Sequence, residues 1–233
     1  MFFILTASAQ VKKSTTVKKS VTKKSSVVKR ATTKPTTVFR VKITTDSGVI
    51  IVRLYDSTIN HRNNFVKLVK QHFYDSLLFH RVMPGFMIQG GDPTSKYAQA
   101  GELLGNGGDS LEKIPAEFKP YYFHKRGVLA AAREGDDLNP TKDSNACQFY
   151  IVTGRTFSDQ ELDQIELSTN RIFTAEERNA YKTIGGAPWL DNNYTIFGEV
   201  ESGMDAADKI AAMPRDGNNR PLTDIRMKIE LVR

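Results

Sequence analysis

The sequence predicts a mainly β protein, a closed barrel of antiparallel strands plugged by helices. Three observations carry that expectation. Most apolar stretches alternate with period two, the pattern of strands with one buried face. Turn-forming runs such as Asp46-Ser47-Gly48 and Pro84-Gly85 punctuate them. Only two main amphipathic helix patterns occur, and no strand–helix unit repeats, which argues against a parallel sheet.

The elements follow in order from Val38. Val38-Phe39-Arg40-Val41-Lys42-Ile43 alternates, Asp46-Ser47-Gly48 turns, and Val49 to Tyr55 alternates again, so a β-hairpin is expected. Thr58 can cap a helix running to about Gln71, with Phe65, Val66, Leu68 and Val69 as its apolar face and His61 and His72 on its surface. Two short apolar runs then flank Pro84-Gly85 within Phe79-His80-Arg81-Val82-Met83-Pro84-Gly85-Phe86-Met87-Ile88-Gln89-Gly90-Gly91-Asp92. Alternation sets Arg81 and Gln89 on one face, with Phe86 and Met87 beside the turn. An Arg and a Gln on an otherwise apolar sheet predict a shallow apolar groove with two polar anchors.

Residues 93–126 are rich in turn signals and read as a long surface loop. Gly105, Gly107 and Gly108 within it are not followed by the Gly-Lys-Ser/Thr of a phosphate loop. Ser158-x-x-Glu161 and Thr174-x-x-Glu177 are capping boxes, so short helices are expected at about 158–168 and 174–183. Asp159, Glu161, Asp163 and Glu166 then form a solvated helix face rather than a paired-carboxylate site. Thr195 to Val200 reads as a strand, Met204 to Met213 as an amphipathic helix, and Ile225 to Val232 as a closing strand.

Composition excludes several chemistries. A lone cysteine, Cys147, cannot form an internal disulfide or a thiolate metal cluster, and it reads as a small buried strand residue. His61, His72, His80 and His124 form no His-Glu-x-x-His pattern, and no metal or cofactor is expected. Alternation turns His80 to the face opposite Arg81, toward a core or hydrogen-bonding role rather than that of a nucleophile's base.

The net charge of +7 is unevenly placed. Residues 1–37 carry nine Lys or Arg and no acid, leaving 24 basic residues against 26 acids, a net of −2, in the rest. Within Met1 to Gln10, the apolar Phe2-Phe3-Ile4-Leu5 precedes Ala7-x-Ala9, a small-x-small pattern expected of a truncated secretory signal. Residues 11–37, almost all Lys, Ser, Thr and Val, are expected to be a disordered basic linker. A sharper reading of that tail is a patch for anionic surfaces; specific nucleic-acid binding is not expected, since no aromatics interleave for base stacking. Export to a bacterial periplasm or envelope is the expected localisation, a cytoplasmic one the alternative.

The Phe79–Asp92 stretch resembles, nearly letter for letter, the signature of the cyclophilin-type peptidyl-prolyl cis-trans isomerases. Gly127-Val128-Leu129-Ala130-Ala131-Ala132 and Gln148-Phe149-Tyr150-Ile151-Val152-Thr153 look like the family's next two strands, and Trp189-Leu190-Asp191 through Phe197-Gly198-Glu199-Val200 like its late segment. The resemblance covers about Val38 to Arg233. It implies one isomerase domain over 38–233, a closed eight-stranded antiparallel β-barrel with a helix at each open end. Relative to that pattern, about 155–187 is a small helical insertion ending beside Trp189, where it is expected to reshape one rim of the groove and tune substrate choice.

The implied reaction needs no cofactor. Rotation about a peptide bond faces a barrier of ~18–20 kcal/mol because the nitrogen lone pair is shared with the carbonyl. Before proline the isomers differ by only ~0.5–1 kcal/mol, yet exchange takes tens of seconds or longer. A guanidinium aimed at the prolyl nitrogen bonds poorly to the planar amide and better to the twisted one, so Arg81 is the expected catalytic group. Gln89 would hold the substrate carbonyl or order Arg81.

By the same resemblance Phe86, Met87, Tyr150 and Leu190 line a proline pocket; Ala132, Arg133 and Gln148 hold the substrate backbone; and Trp189 forms a wall. Three positions depart from the family's common residues: Tyr150 for Phe at the pocket floor, Tyr194 for His, and Arg133 for Asn. Expected partners are proline-containing polypeptides and the family's cyclic peptide inhibitor, bound by a monomer. Two readings share this groove: an isomerase assisting protein folding, and a module holding Pro-containing segments with incidental catalysis. A surface-adhesive protein working through its basic tail is a third.

Overall fold

The computed structural model describes residues 38–232. The segments 1–10 and 11–37, expected as signal and linker, lie outside the described residues. The chain order is β1 (Arg40–Thr45), β2 (Gly48–Leu54), α1 (Ile59–Lys70), β3 (Phe79–Met83), β4 (Met87–Gly90), β5 (Val128–Ala131), β6 (Phe149–Val152), α2 (Asp159–Thr169), α3 (Ala175–Thr183), β7 (Ile196–Ser202), α4 (Met204–Ala211) and β8 (Lys228–Val232), with 3-10 turns at Pro93–Tyr97 and Pro188–Leu190. No described helix is long and apolar enough to cross a membrane.

All eight strands form one curled antiparallel sheet in the order β3-β4-β6-β5-β7-β2-β1-β8. The expected closed barrel is not formed as a continuous ladder. Among the described residues the seam between the β3 and β8 edges is spanned by the segments leading into those strands, through an isolated bridge, Leu78 to Arg226, and backbone bonds such as Phe79 N–H to Ile225 O (2.9 Å) and Met227 N–H to Leu77 O (2.8 Å). The segment expected to be strand from Ile225 joins a ladder only from Lys228. Its first residues leave the strand path to span the seam.

Period-two alternation sorts the side chains into two clusters. Ile88, Leu129, Ala131, Phe149 and Ile151 face the concave side, where they meet Phe65, Val66, Leu68 and Val69 of α1 and Ala206, Ala207 and Ile210 of α4. Met87, Val128, Ala130, Tyr150 and Val152, each offset by one, face the convex side with Leu190 and Ala187. A one-residue register slip would exchange the two sets. The helices therefore fill the concave core, and the convex face is left to build a groove.

Local chemistry explains most boundaries. Both capping boxes form: Ser158 Oγ accepts from Glu161 N–H and Thr174 Oγ1 from Glu177 N–H, with each Glu answering the cap's N–H. Asp159, Asp163 and Glu166 all pair with Arg178 of α3, so the acidic face of α2 is an inter-helix ion network. Thr58 precedes α1 without a side-chain capping bond. His61 is not on the surface as expected: it is buried, its ring held by Glu117 (2.7 Å) and Ser144 (2.9 Å). His72 is exposed.

Candidate active site

Hairpin β3–β4 places the two polar anchors. Register pairs Arg81 with Gln89, and Gln89 with Tyr150 across β4–β6. A bulge between Phe79 and Arg81 shifts the alternation, so both Phe79 and Val82 reach the concave core while Arg81 turns to the convex face. Gly85, at φ 68°, makes the turn that brings Phe86 and Met87 back beside Arg81.

A pocket of about 100 Å3 opens on this face, lined by Arg81, Phe86, Met87, Gln89, Ala132, Arg133, Tyr150, Leu190 and Tyr194. Two expected members stand behind or beside it. Gln148 is buried; its Oε1 accepts from Gln89 Nε2 (3.1 Å), while its own amide donates to the Gly105 and Gly107 carbonyls (2.9 and 2.8 Å). Trp189 packs on Phe86 at 5.3 Å between ring centroids and forms the rim. A larger cavity of about 540 Å3 lies elsewhere, beside Tyr55 and Tyr122, but its Arg53 and Lys125 are already paired with Glu199.

A relay of amides fixes the cation. Gln148 holds Gln89, and Gln89 Oε1 accepts from the Arg81 guanidinium (3.2 Å), which also reaches Met83 Sδ (3.2 Å). Among the described residues no carboxylate pairs with Arg81. Burial lowers its pKa from the usual arginine value, yet a guanidinium stays protonated near neutrality. Its charge is thus held at the pocket mouth with unspent hydrogen-bonding capacity.

The three departures have physical accounts. Arg133 is folded down: Nε donates to Asn193 O (2.6 Å), the guanidinium pairs with Asp136 (2.6 Å) and lies 4.5 Å from the Tyr194 ring centroid. Tyr194 thereby becomes a cation-backed wall, edge-on to Tyr150 at 5.9 Å. The Tyr150 hydroxyl points away from the pocket, to His124 Nε2 at 3.0 Å. His124 Nδ1 in turn faces Asp191 Oδ1 at 2.9 Å. The tautomer with its proton on Nδ1, facing the carboxylate, leaves Nε2 to accept from the Tyr150 hydroxyl, so it is the Tyr150 ring that lines the pocket.

The glycine loop, expected to be surface, has a supporting role. Asp92 accepts from Thr94, Gly105 and Gly107 N–H groups. Burial would raise its pKa, but bonds from Thr94 and Gly105 outweigh that and hold it low. A Cβ on Gly107 would lie 2.0 Å from Asp92 Oδ1. His80 is buried beside this loop without a ring partner among the described residues. Cys147 is buried, and burial pushes its thiol up to about 12, as suits an inert core residue. Sequence reasoning missed the His124–Asp191 pair; an unexplained histidine just before a barrel strand was the available signal.

A curled eight-stranded antiparallel sheet with α1 and α4 in its concavity and an arginine-edged apolar pocket on its convex face defines a mainly β fold with a small surface site. The family model described as cyclophilin type peptidyl-prolyl cis-trans isomerase/CLD matches residues 40–230. The chain is 31% identical over 201 residues to the Neurospora crassa peptidyl-prolyl cis-trans isomerase-like 1, covering 83% of this chain and 94% of that one. It is 33% identical over 191 residues to the Rhizopus delemar peptidyl-prolyl cis-trans isomerase-like 2, covering 80% of this chain but only 27% of that protein's length. A crystal structure of a Cryptosporidium parvum cyclophilin-type isomerase in the presence of the dipeptide Ala-Pro aligns with TM-score 0.61 at 23% identity, covering 83% of this chain and 99% of that one. The chain belongs to the cyclophilin-type peptidyl-prolyl cis-trans isomerase family, and the reaction is rotation of the peptide bond preceding proline.

Proposed function

We propose that Arg81 is the catalytic group and that the pocket over Met87 and Tyr150 takes the proline ring. The supporting observation is the Arg81 guanidinium at the mouth of an apolar pocket, oriented by Gln89 and unpaired with any described carboxylate. A barrier near 20 kcal/mol corresponds to about 0.01 turnovers per second. Catalysis requires only that the donor bond better to the pyramidal nitrogen of the twisted amide than to the planar one. Gln89 orders the guanidinium, Leu190 and Phe86 wall the ring, and Trp189 shields one rim.

The substrate backbone runs past Ala132 and Arg133. The Arg133 side chain is spent on Asn193, Asp136 and Tyr194, so its contribution to substrate comes from the main chain. Arg81→Ala should lower turnover of an Ala-Pro peptide by two to three orders of magnitude, about 3–4 kcal/mol of transition-state stabilisation, with peptide binding largely kept. Equal turnover by wild type and Arg81→Ala would remove this assignment. Loss of binding and turnover together would favour the Pro-segment-holding reading.

The physiological role we propose is folding assistance to exported proteins, by a chain that works as a monomer. The support is the apolar Phe2–Leu5 segment followed by Ala7-x-Ala9, which suggests a signal read by the export machinery of a bacterium. A mature N-terminus mapped before Ala9 in the native host would count against it. The basic 11–37 segment serves as a spacer, and unchanged retention on anionic lipid after its removal is the expected result. Residues 155–187 act as an insertion on the Trp189 side, and the family's cyclic peptide inhibitor is expected to compete with substrate.

A further inference from the structure

Beneath the proline pocket runs a chain of buried polar groups that the reaction as described does not use. It starts at the Tyr150 hydroxyl, passes to His124 Nε2 (3.0 Å) and from His124 Nδ1 to Asp191 Oδ1 (2.9 Å). Asp191 Oδ1 also accepts from the His124 backbone N–H (2.7 Å). On its other oxygen Asp191 accepts from the Tyr181 hydroxyl of α3 at 2.6 Å, and Arg171 lies 3.0 Å away, itself paired with Glu177 of α3. Tyr150, His124, Asp191 and Tyr181 are all buried.

We propose that this chain makes α3 a positioning element for the isomerisation pocket, with Tyr181, Asp191 and His124 holding the Tyr150 ring at its floor. The proposal rests on the reading that Tyr150 floors the pocket that takes proline. A phenyl floor would be held by packing alone; a phenol whose proton is committed to a fixed acceptor has one orientation. His124 is itself fixed twice by one carboxylate, through its backbone N–H and its ring. That carboxylate is oriented from the opposite side by α3.

In a pocket of about 100 Å3 a small tilt of the floor ring decides whether the prolyl nitrogen meets Arg81. The α2–α3 segment cannot drift from the sheet, because Ala187 N–H bonds His124 O (2.8 Å) and Gly186 N–H bonds Arg155 O (3.0 Å). Segment and pocket floor are thus one hydrogen-bonded unit, and the residues at 155–187 act on catalysis without touching substrate.

The test is a double-mutant cycle on the full chain between Tyr150→Phe and Tyr181→Phe, whose hydroxyls are joined through His124 and Asp191. kcat/KM for an Ala-Pro peptide is measured per folded molecule, with Tm recorded in parallel. We expect each single substitution to lower kcat/KM about tenfold, and the double variant to be no slower than the worse single one. Asp191→Ala, cutting the chain one link nearer the pocket, should repeat the pattern. The proposal is overturned if Tyr181→Phe lowers Tm while kcat/KM stays within twofold, or if the two losses multiply. Arg81→Ala in the same assay reports separately on the site: full turnover there sinks the pocket assignment whatever the cycle gives.

Discussion

At the residue scale, the proposed catalytic group and its supports are side chains that touch in sequence. Gln89 holds Arg81, the group proposed to meet substrate, Gln148 holds Gln89, and the carbonyls of Gly105 and Gly107 hold Gln148. A defect at the far end should therefore reach the near end. Gly107→Ala places a methyl 2.0 Å from the buried Asp92 carboxylate and must shift the loop. The expected result is a destabilisation of about 1–3 kcal/mol with a lowered kcat/KM; Gly135→Ala, with open space around it, is the matched control expected to match wild type. Urea unfolding and the peptide assay on both variants decide it. Arg81 and Gln89 were legible as a pair because strand alternation across a Pro-Gly turn puts them on one face; Phe86 and Met87 were legible as residues beside that turn, and their place in the pocket only through the family resemblance. Gln148 was expected to hold the substrate backbone; its place as a support behind Gln89 was not legible, since the carbonyls it donates to lie 41 and 43 residues away.

At the element scale, the capping boxes show how much local sequence can specify. Ser158 and Thr174 each satisfy an N–H of the first turn that would otherwise lack a partner. Ser158→Ala and Thr174→Ala should each lower stability by about 1 kcal/mol in chemical denaturation. Wild-type midpoints for both would mean that packing of Leu162 and Tyr181 alone holds these helices. Helix existence was readable because a cap and its partner sit three residues apart. Burial of His61 was not, because its partners Glu117 and Ser144 lie 56 and 83 residues on. The surface assignment of that histidine failed for this reason.

At the scale of the whole molecule, stability responds to pH through histidines held away from water. An unfolded histidine titrates near 6.5, whereas burial pushes His80 down to about 4. Between these values the unfolded chain binds a proton that the folded chain refuses. Stability therefore falls as pH drops from about 6.5 toward 4 and the effect levels off below, for a total on the order of 3 kcal/mol. Burial lowers His61 in the same direction, partly offset by Glu117. Urea unfolding at pH 7, 5.5 and 4.5 should show the decline, and His80→Gln should remove part of its slope. A flat profile in wild type would mean that His80 is solvated.

What the amino-acid order determined by itself was short in range: the place of most strands, the face taken by most apolar side chains along them, where helices begin, and the signature that carries Arg81. Tertiary structure alone decided whether the sheet closes. That depends on how the curl brings β3 to β8, and Ile225 to Met227 bridge the edges instead of extending the ladder. It also decided where the Tyr150 hydroxyl points, because His124 and Asp191 reach it from distant segments of the chain. Periodicity is a property of neighbours along a chain, whereas the partner of a buried polar group is chosen by the fold that removes it from water.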